Sequence, residues 1–407
     1  MRIVCVGGGP AGLFFAIAAK QTDASHEIAV FERDPAGSTY GWGVTFGDDL
    51  LDLMHFQDPV SARAVEASCV LWRGREVWLP QGPPGWFRGY GYSLMRSRFL
   101  EILTDRAVDL GVQVHHQQPV DTDTDVDADL VVAADGVHSR LRQAAAEKFG
   151  TSLSTGANQY IWLGTDVRFA KLTLALVETA AGPIWFQAYP STPQVSTCVV
   201  ECSSQTWHGL GLDTAEEPDA LRILEQVFSA ALGGGRLIGR ARGQAAGWLR
   251  FDHVTNNVWY RDNVVLIGDA AHTTHFSLAS GTRLALHDGL VLARTLSKHR
   301  ELSDALVDYD RRRRPALVNV QLRALESMRW FENLPSTRGM DGGTFGYGIT
   351  RRGIGLPPRW RMRLGQSGPI RALRRRQDDR DHRWATRDRA RPAPPRGSRL
   401  APDHERG

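Results

Sequence analysis

Three glycines near the start of the chain, Gly7, Gly9 and Gly12, have the spacing of a G-x-G-x-x-G turn, which binds the pyrophosphate of a dinucleotide. They follow a short apolar strand and precede a helix-forming stretch. In such a turn Gly7 permits the tight bend, Gly9 lets the backbone approach the phosphates, and Gly12 lets helix and strand pack. Free N–H groups at the helix start attract the anion. With Pro10 and Ala11, these residues are predicted to bind a phosphate.

An acidic residue follows at the distance that such a nucleotide site requires. The second apolar strand, residues 27–32, ends in Glu32, twenty positions after Gly12. A carboxylate there can accept a hydrogen bond from a ribose hydroxyl. Arg33, the next residue, is either an adenosine contact or a surface cation. The glycine turn alone is weak evidence, but together with its strand, helix and acid it predicts a bound dinucleotide.

Two later strands also end in an acidic residue beside a glycine. One apolar run ends at Asp135 and Gly136, and another leads into Gly268 and Asp269. Three strand ends therefore carry groups that can bind phosphate or hydroxyl oxygen. The glycine run at 233–235 follows a helical stretch instead of a strand, so we predict one glycine fingerprint only.

The elements that must position these residues show two patterns. Residues 96–110 and 281–298 are predicted to be helices beside the apolar strands. Residues 159–202 alternate apolar and polar residues, which is typical of an antiparallel sheet and indicates a second domain. Further predicted elements are a turn at 41–46, hairpins at 72–92, a helix over 221–232 with a capping box at 214–217, and a helix over 305–331.

The length and the cysteine content narrow the protein class. A chain of 407 residues can form two domains, or one large α/β unit with a second sheet. The four cysteines are scattered, which argues against disulfides and a metal site and favours a reducing cytoplasm. The first strand begins at residue 2, so we predict no signal peptide, and no apolar run is long enough to cross a membrane. We expect a soluble, cytoplasmic protein.

The net charge of +4 conceals a strongly basic C-terminal segment. Residues 351–407 carry 17 arginines and six acidic residues, which is +11, so the rest of the chain is −7. A basic tail can bind nucleic acid or a membrane surface. This one shows no apolar periodicity and no interleaved aromatic platform beyond Trp384, so we predict a disordered, solvated tail and no nucleic-acid partner.

The three strand ends, in this chain order, resemble those of the FAD-dependent aromatic-ring hydroxylases, the single-component flavoprotein monooxygenases related to para-hydroxybenzoate hydroxylase. The resemblance covers about residues 1–335. It implies an α/β fold: a Rossmann-like FAD-binding domain with an inserted antiparallel β-sheet substrate domain and C-terminal helices. The predicted ranges are 1–71, 93–158 and 255–300 for the FAD-binding domain, 72–92 and 159–254 for the substrate domain, 301–350 for the helical segment, and 351–407 for the tail.

The resemblance assigns cofactor roles to residues at the strand ends. It implies that the glycine turn binds the FAD pyrophosphate and that Glu32 binds the adenosine ribose. Arg96, at the start of a helix, contacts the phosphate side of the flavin, and Asp269 binds the ribityl chain. Asp135 and Gly136 match a motif that serves both FAD and NAD(P)H.

Residues near the flavin ring are assigned in the same way. The N–H groups of Gly281 and Thr282, at a helix start, would stabilise negative charge on the flavin pyrimidine edge. His275 is the first candidate for a catalytic base on position alone, although such a histidine is more often a packing or loop residue. The candidate substrate contacts are Thr45, Tyr189 and Phe276.

Three segments, 41–46, 273–282 and 327–332, resemble the subgroup of salicylyl-CoA and anthraniloyl-CoA hydroxylases and the violacein-pathway tryptophan hydroxylase. The resemblance implies reduction of FAD by NADH or NADPH, uptake of O2, and hydroxylation of an electron-rich aromatic ring through a C4a-hydroperoxyflavin. The first substrate hypothesis is a salicylyl- or anthraniloyl-type aryl-CoA. Arg73, Arg75 and Arg88 are candidates for the cationic entrance that CoA would need.

Two alternatives remain open at this stage. The substrate is tryptophan or another indole, or the protein is a flavin-dependent reductase or dehydrogenase that inserts no oxygen. The expected partners are a small aromatic substrate, O2 and NAD(P)H, and the chain is expected to be a monomer or a homodimer. The sequence does not distinguish NADH from NADPH.

Overall fold

Two sheets organise the protein, a six-stranded sheet at the predicted nucleotide site and a nine-stranded sheet beside it. The computed structural model describes residues 1–38, 41–242, 244–334, 337, 340–351 and 358–389. The strands are β1 (Arg2–Val6), β2 (Glu27–Glu32), β3 (Gly43–Phe46), β4 (Val70–Trp78), β5 (Gly85–Met95), β6 (Gln113–His116), β7 (Leu130–Ala133), β8 (Ser152–Thr165), β9 (Leu172–Thr179), β10 (Gly182–Pro190), β11 (Ser196–Ser203), β12 (Leu237–Ile238), β13 (Arg240–Ala241), β14 (Gln244–Ala245), β15 (Leu249–Thr255), β16 (Tyr260–Arg261) and β17 (Val264–Leu266).

The helices lie on both faces of the first sheet and along the second. They are α1 (Pro10–Thr22), α2 (Asp48–Gln57), α3 (Pro59–Ser68), α4 (Arg96–Asp109), α5 (Arg140–Ala144), α6 (Ala146–Phe149), α7 (Ser204–Gly209), α8 (Glu217–Val227), α9 (Ser229–Leu232), α10 (Gly281–Lys298), α11 (Leu302–Glu332), α12 (Gly342–Thr350), α13 (Arg359–Gly365) and α14 (Gly368–Arg389). None of these helices is both long and apolar enough to cross a membrane.

The first sheet has the order β16-β17-β7-β1-β2-β6 and is parallel except for β16. Its apolar strands are buried on both faces, as parallel strands covered by helices must be. The chain runs from β1 to β2 on one side and later returns to β7 on the other. Strand order therefore reverses at β1, and a crevice at the carboxyl ends of β1 and β7 is where doubly wound sheets bind ligands. The predicted fold class is confirmed.

The second sheet buries both of its faces, because different elements cover them. One face packs on α8 and α9, with Phe186, Cys198 and Val200 in that core. The opposite face carries Trp185 and packs against Phe331 of α11. The alternation along β11 sets this division, since neighbouring residues of a strand point to opposite faces.

Two local predictions are wrong. Residues 43–46 are a strand, β3, that pairs with β5 in the second sheet instead of forming a turn. A β-carbon at Gly43 would lie 2.2 Å from the Ser191 hydroxyl, so this glycine permits close packing and not a bend. The predicted capping box also fails: α8 begins at Glu217, after the N-cap Glu216, because Pro218 fits the first helical turn.

The prediction of a disordered tail is wrong for residues 358–389, which form α13 and α14. The arginine-rich α14 packs on the outer end of β5 through paired charges instead of an apolar stripe. Asp378, almost completely buried, accepts hydrogen bonds from Arg88 and from the Gly89 N–H. Arg389 is equally buried and pairs with acidic residues of α2 and α3. Residues 352–357 and 390–407 lie outside the described ranges.

Candidate active site

The glycine turn after β1 leaves its backbone open to the crevice. Gly7 has a φ of +110°, and a β-carbon there would lie 2.3 Å from the Ala134 carbonyl oxygen. A β-carbon at Gly12 would lie 2.3 Å from the Gly7 carbonyl oxygen, so the strand and helix pack only with glycine at both positions. Gly9 instead faces open space, with no described atom within 4 Å of its missing β-carbon. The turn therefore presents bare backbone and the start of α1, with Pro10 and Ala11 in its first turn.

Glu32 is fixed at the end of β2 by two backbone hydrogen bonds. Its Oε2 accepts from the Gly8 N–H at 2.7 Å, and its Oε1 accepts from the Asp34 N–H at 2.9 Å. The carboxylate is thereby held against the glycine turn with lone pairs left for a further donor. Arg33 is half-exposed and lies 3.9 Å from Asp34, which fits a surface cation.

Arg96, the first residue of α4, has a buried nitrogen that makes no hydrogen bond with any of the described residues. Its Nε is enclosed and lacks a hydrogen-bond partner. Burial lowers the pKa of its guanidinium, while the Asp269 and Glu32 carboxylates raise it. An unsatisfied buried donor costs about 1–3 kcal/mol. A bound anion between the two acids and the glycine turn would satisfy this donor.

Asp135 follows β7 and also has a buried polar atom without a hydrogen-bond partner among the described residues. Its Oδ2 accepts from the Arg140 N–H at 2.8 Å, while its Oδ1 is buried without a partner among the described residues. Burial raises the pKa of this carboxyl, although hydrogen bonds from Ser139 and backbone amides oppose the shift. Next to it, Gly136 has a φ of +82° and faces open space.

Asp269 follows β17 and stands at the crevice with its side chain accessible. Dense protein around it nevertheless raises the pKa of its carboxyl, against the opposing charges of His272 and Arg96. Gly268, with a φ of +60°, makes the bend that presents this acid. The Gly268 N–H donates to Asp288 at 2.9 Å, which anchors the bend to α10.

The start of α10 lies twelve residues further along, at Gly281 and Thr282. Its N-cap residue, Ser280, makes no side-chain cap, so this side chain leaves the first N–H groups of an 18-residue helix available. The nearest atom to a β-carbon at Gly281 would be the Thr274 hydroxyl at 3.7 Å, which leaves access to the helix end. Such an end attracts partial negative charge.

Aromatic side chains of the second sheet meet the loop between Asp269 and α10. Phe276 from this loop lies with ring centroids 5.0 Å from Tyr160 and 6.3 Å from Trp185. Trp162 lies 6.5 Å away. Two of the residues predicted to contact substrate make hydrogen bonds within the protein: Tyr189 donates to the Gly43 carbonyl oxygen, and Thr45 donates to the Tyr92 carbonyl oxygen and accepts from the Trp72 indole.

His275 lines a small pocket beneath this aromatic face, with a cavity volume of about 10 Å³. Its Nε2 lies 3.9 Å from Oε2 of Glu201, and its Nδ1 lies 2.8 Å from the Ser277 hydroxyl. Glu201 is 1% exposed, and burial raises its carboxyl pKa to about 8. The other residues that line this pocket are Gly156, Asn158, Tyr160, Phe251, Met328 and Glu332.

Sequence reasoning missed Glu201, although the strand pattern held a usable signal. Cys198 and Cys202 are four residues apart and so share one face of a strand, and Glu201 then falls on the opposite face. In a strand buried on both sides, a charged residue must have a partner or a function. Only the pairing of β11 with β8 and β10, which puts Glu201 beside Tyr160 and Trp185, shows where it points.

Comparison with known proteins accounts for this arrangement. A family model described as FAD binding domain matches residues 101–323, more than half of the chain. The chain belongs to this family of FAD-binding proteins. The flavoprotein is 35% identical over 344 residues to salicyloyl-CoA 5-hydroxylase from Streptomyces sp, covering 82% of this chain and 66% of the relative. It is 37% identical to 3-hydroxy-4-methyl-anthranilyl-[aryl-carrier protein] 5-monooxygenase from Streptosporangium sibiricum, covering 82% of this chain and 90% of the relative.

Solved structures agree on the fold. The tetrameric form of 2-methyl-3-hydroxypyridine-5-carboxylic acid oxygenase matches with a TM-score of 0.65 and 20% identity, over 86% of this chain and 95% of that one. The family and its relatives make the protein an FAD-dependent aromatic hydroxylase, so the predicted family resemblance is confirmed. FAD fits the crevice, because the unpaired Arg96 Nε and Asp135 Oδ1 and the open Gly9 backbone offer what its phosphates and hydroxyls need.

Replacing Arg96 tests the phosphate end of this flavoprotein. We expect Arg96→Met to weaken FAD binding about tenfold to a hundredfold, since a hydrogen bond to a charged group contributes about 1.5–3 kcal/mol. Titrating the apoprotein with FAD measures the dissociation constant. Arg98→Met is the matched control, because Arg98 is half-exposed on the same helix and pairs only weakly with Glu101. Equal affinities for Arg96→Met and the wild type would contradict the assignment.

Proposed function

We propose that the enzyme uses NAD(P)H and O2 to hydroxylate a hydroxy- or aminobenzoyl ring held as a thioester. The two relatives described above act, by their names, on a salicyloyl and an anthranilyl group attached to a carrier. One structural observation supports the proposal most. The segment 268–281 borders the cofactor crevice through Asp269 and Gly281, and the aromatic pocket through His275. A ring that places a substituent in this pocket would therefore lie next to the redox centre.

Bound FAD would supply the redox chemistry, taking reducing equivalents from NAD(P)H and activating O2 for transfer of one oxygen atom to the ring. The protein would bind and orient this group. Glu32, Arg96 and the glycine turn would hold its adenosine and phosphate end, and Asp269 would hold its ribityl hydroxyls. Asp135 and Gly136 would contact FAD and NAD(P)H. The N–H groups of Gly281 and Thr282 would stabilise negative charge on the flavin ring.

Water exclusion is the second task of the protein. The face formed by Trp162, Trp185 and Phe276 is apolar, and the ring of Phe331 stacks on Trp185 at 4.1 Å. A dry chamber keeps the activated oxygen from being lost to water before it reaches the ring. His275 would contact the substrate from the same loop that carries Phe276.

The carrier would be recognised away from the arginines that the sequence singled out. Arg73 pairs with Asp379 at 3.0 Å, and Arg88 pairs with Asp378 and Asp381. Acidic residues of α14 therefore pair with two of the three arginines of the predicted cationic entrance for CoA. We therefore infer that the substrate ring, not the carrier phosphates, determines binding at this site.

Product analysis tests the proposed function. We expect the purified holoenzyme to consume NAD(P)H and O2 in equal amounts with salicyloyl-CoA or anthraniloyl-CoA, and to yield a product heavier by one oxygen atom. Free salicylate, anthranilate and tryptophan serve as comparison substrates. Reactions without substrate give the background rate of NAD(P)H oxidation. NAD(P)H oxidation without an oxygenated product from any of these rings would contradict the proposal and favour a reductase.

A further inference from the structure

Glu201 combines deep burial with an oxygen that has no hydrogen-bond partner among the described residues. Its Oε1 accepts from the Asn158 side-chain amide at 2.7 Å, and that amide also donates to the Phe331 carbonyl oxygen at 3.3 Å. Its Oε2 is enclosed and accepts no hydrogen bond from the described residues. Burial of a carboxyl oxygen without a hydrogen bond lowers the stability of the fold, so such an acid is typical of a functional site. Asn158 fixes the carboxyl so that Oε2 faces the pocket.

His275 faces that oxygen across a gap that suits a third group. The distance of 3.9 Å between Nε2 and Oε2 is too long for a hydrogen bond, yet one oxygen atom can lie within bonding distance of both. On the other side of the ring, Nδ1 is 2.8 Å from the Ser277 hydroxyl, which is 2.6 Å from the Ser327 hydroxyl. If Ser277 donates to Nδ1, the imidazole proton is on Nε2 and points toward the pocket.

We propose that this pocket is a subsite for the hydroxyl group of the aromatic substrate, with Glu201 as the base that takes its proton and His275 as the donor that binds the resulting oxyanion. This inference rests on the proposed function. In the step, the O–H bond of the ring hydroxyl breaks and an O–H bond forms on Oε2. Negative charge passes from Glu201 to the ring oxygen, so the step needs no oxidant. The ring becomes richer in electrons, as an attack on electrophilic oxygen requires.

The buried surroundings of Glu201 bring the pKa of its carboxyl closer to that of a substrate hydroxyl. Burial raises the carboxyl pKa to about 8, only about two units below that of a phenol, whereas an ordinary glutamate is about six units below. Proton transfer is efficient when the two values are close. The titratable groups that face Glu201 are Tyr160 on β8, His275 on the loop, Glu332 at the end of α11 and the adjacent Cys202.

The same groups set a preference among ring substituents. Glu201 and Glu332 both line the pocket, so a substrate carboxylate entering it would meet two acidic side chains. A hydroxyl or amino group can instead donate to Oε2. The pocket therefore selects a proton-donating substituent and requires the carboxyl end of the benzoyl group to lie elsewhere, which agrees with a neutral thioester.

Glu201→Gln keeps the shape of the side chain and removes the carboxylate that acts as the base. With salicyloyl-CoA, we expect the wild-type rate of product formation to rise with pH through about 8, and the variant rate to be about a hundredfold lower without that rise. With 2-methoxybenzoyl-CoA, which has no proton to give, the two enzymes should differ little. Glu201→Asp should keep the pH dependence at a reduced rate. Glu76→Gln is the control, since Glu76 pairs with Lys171 outside the pocket.

A stability measurement gives a readout without catalysis. Because the folded enzyme holds the Glu201 proton more tightly than the unfolded chain, holoenzyme stability should fall as pH rises from about 4.5 to 8, and then level off. Glu201→Gln should lack this contribution and be more stable than the wild type above pH 8.

Three results would overturn the inference, and a fourth would overturn the proposed function instead. An unchanged rate and pH profile in Glu201→Gln would overturn the inference, as would an equal loss with the methoxy substrate. Unfolding curves of Glu201→Gln and the wild type that change identically with pH would also overturn it. If the wild type itself forms no oxygenated product from any ring, the proposed function fails, which is distinguishable because both enzymes are then inactive.

Discussion

Replacing Arg313 with methionine should lower the free energy of unfolding by about 3–5 kcal/mol, because it leaves a buried carboxylate without its cation. Arg313 on α11 donates from Nε to Asp288 at 2.8 Å, and both side chains are almost fully buried. The same Asp288 lies 2.7 Å from His272 and accepts from the Gly268 N–H. One carboxylate thus connects α10 and α11 to the bend that presents Asp269.

The adjacent residue provides the control for this prediction. Arg312→Met removes an exposed arginine that pairs with Asp308 at 2.8 Å, and we expect a change below about 1 kcal/mol. Urea unfolding of the holoenzyme, followed by far-ultraviolet circular dichroism, measures both. Equal losses for the two variants would contradict the role of the buried pair. FAD affinity should fall only in Arg313→Met, because only that change loosens the Gly268 bend.

The stability of the wild type at acidic pH depends on the same carboxylate. Burial alone would raise the pKa of Asp288, but His272 and Arg313 outweigh it and lower the value to about 2. An unfolded aspartate has a pKa of about 3.9. The pair therefore contributes its full stability above about pH 4, and this contribution is lost as the pH falls toward 2.

The cofactor crevice could be predicted from the sequence because its signals are local. The glycines at 7 and 12 are required by backbone conformation and close packing, Gly9 leaves open space beside the turn, and the acids at 135 and 269 closely follow apolar strands. The substrate pocket could not be predicted in this way. Its groups come from β8, β11, the loop after Asp269 and the end of α11, so their proximity depends on sheet register.

The fold of the C-terminal segment also could not be predicted from the sequence. Composition predicted disorder for residues 351–407, because high charge and low apolar content do not support a core. The described part folds because its charges have specific partners more than 280 residues away in the chain, on β5, α2 and α3. Composition counts charges but contains no information about where their partners lie.

Arg389→Met should release the end of α14 and increase amide hydrogen exchange in that helix about thirtyfold. Arg389 is buried at the last turn, pairs with Asp48, and lies 2.9 Å from Asp52 and 2.8 Å from Glu66. Its guanidinium also stacks on the Tyr92 ring, with 5.4 Å to the centroid. The carboxylates are partly exposed, so we expect a loss of about 2 kcal/mol instead of the full cost of a buried pair.

Arg387→Met tests whether this effect depends on position or only on charge. Arg387 is exposed on the same helix turn, so its removal changes the net charge equally but should leave exchange in α14 within about twofold of the wild type. Hydrogen exchange followed by mass spectrometry, with peptides from α14 and α1 compared, separates local release from global unfolding. Equal exchange in both variants would contradict the anchoring role. Fast exchange of α14 in the wild type would contradict its docking on β5.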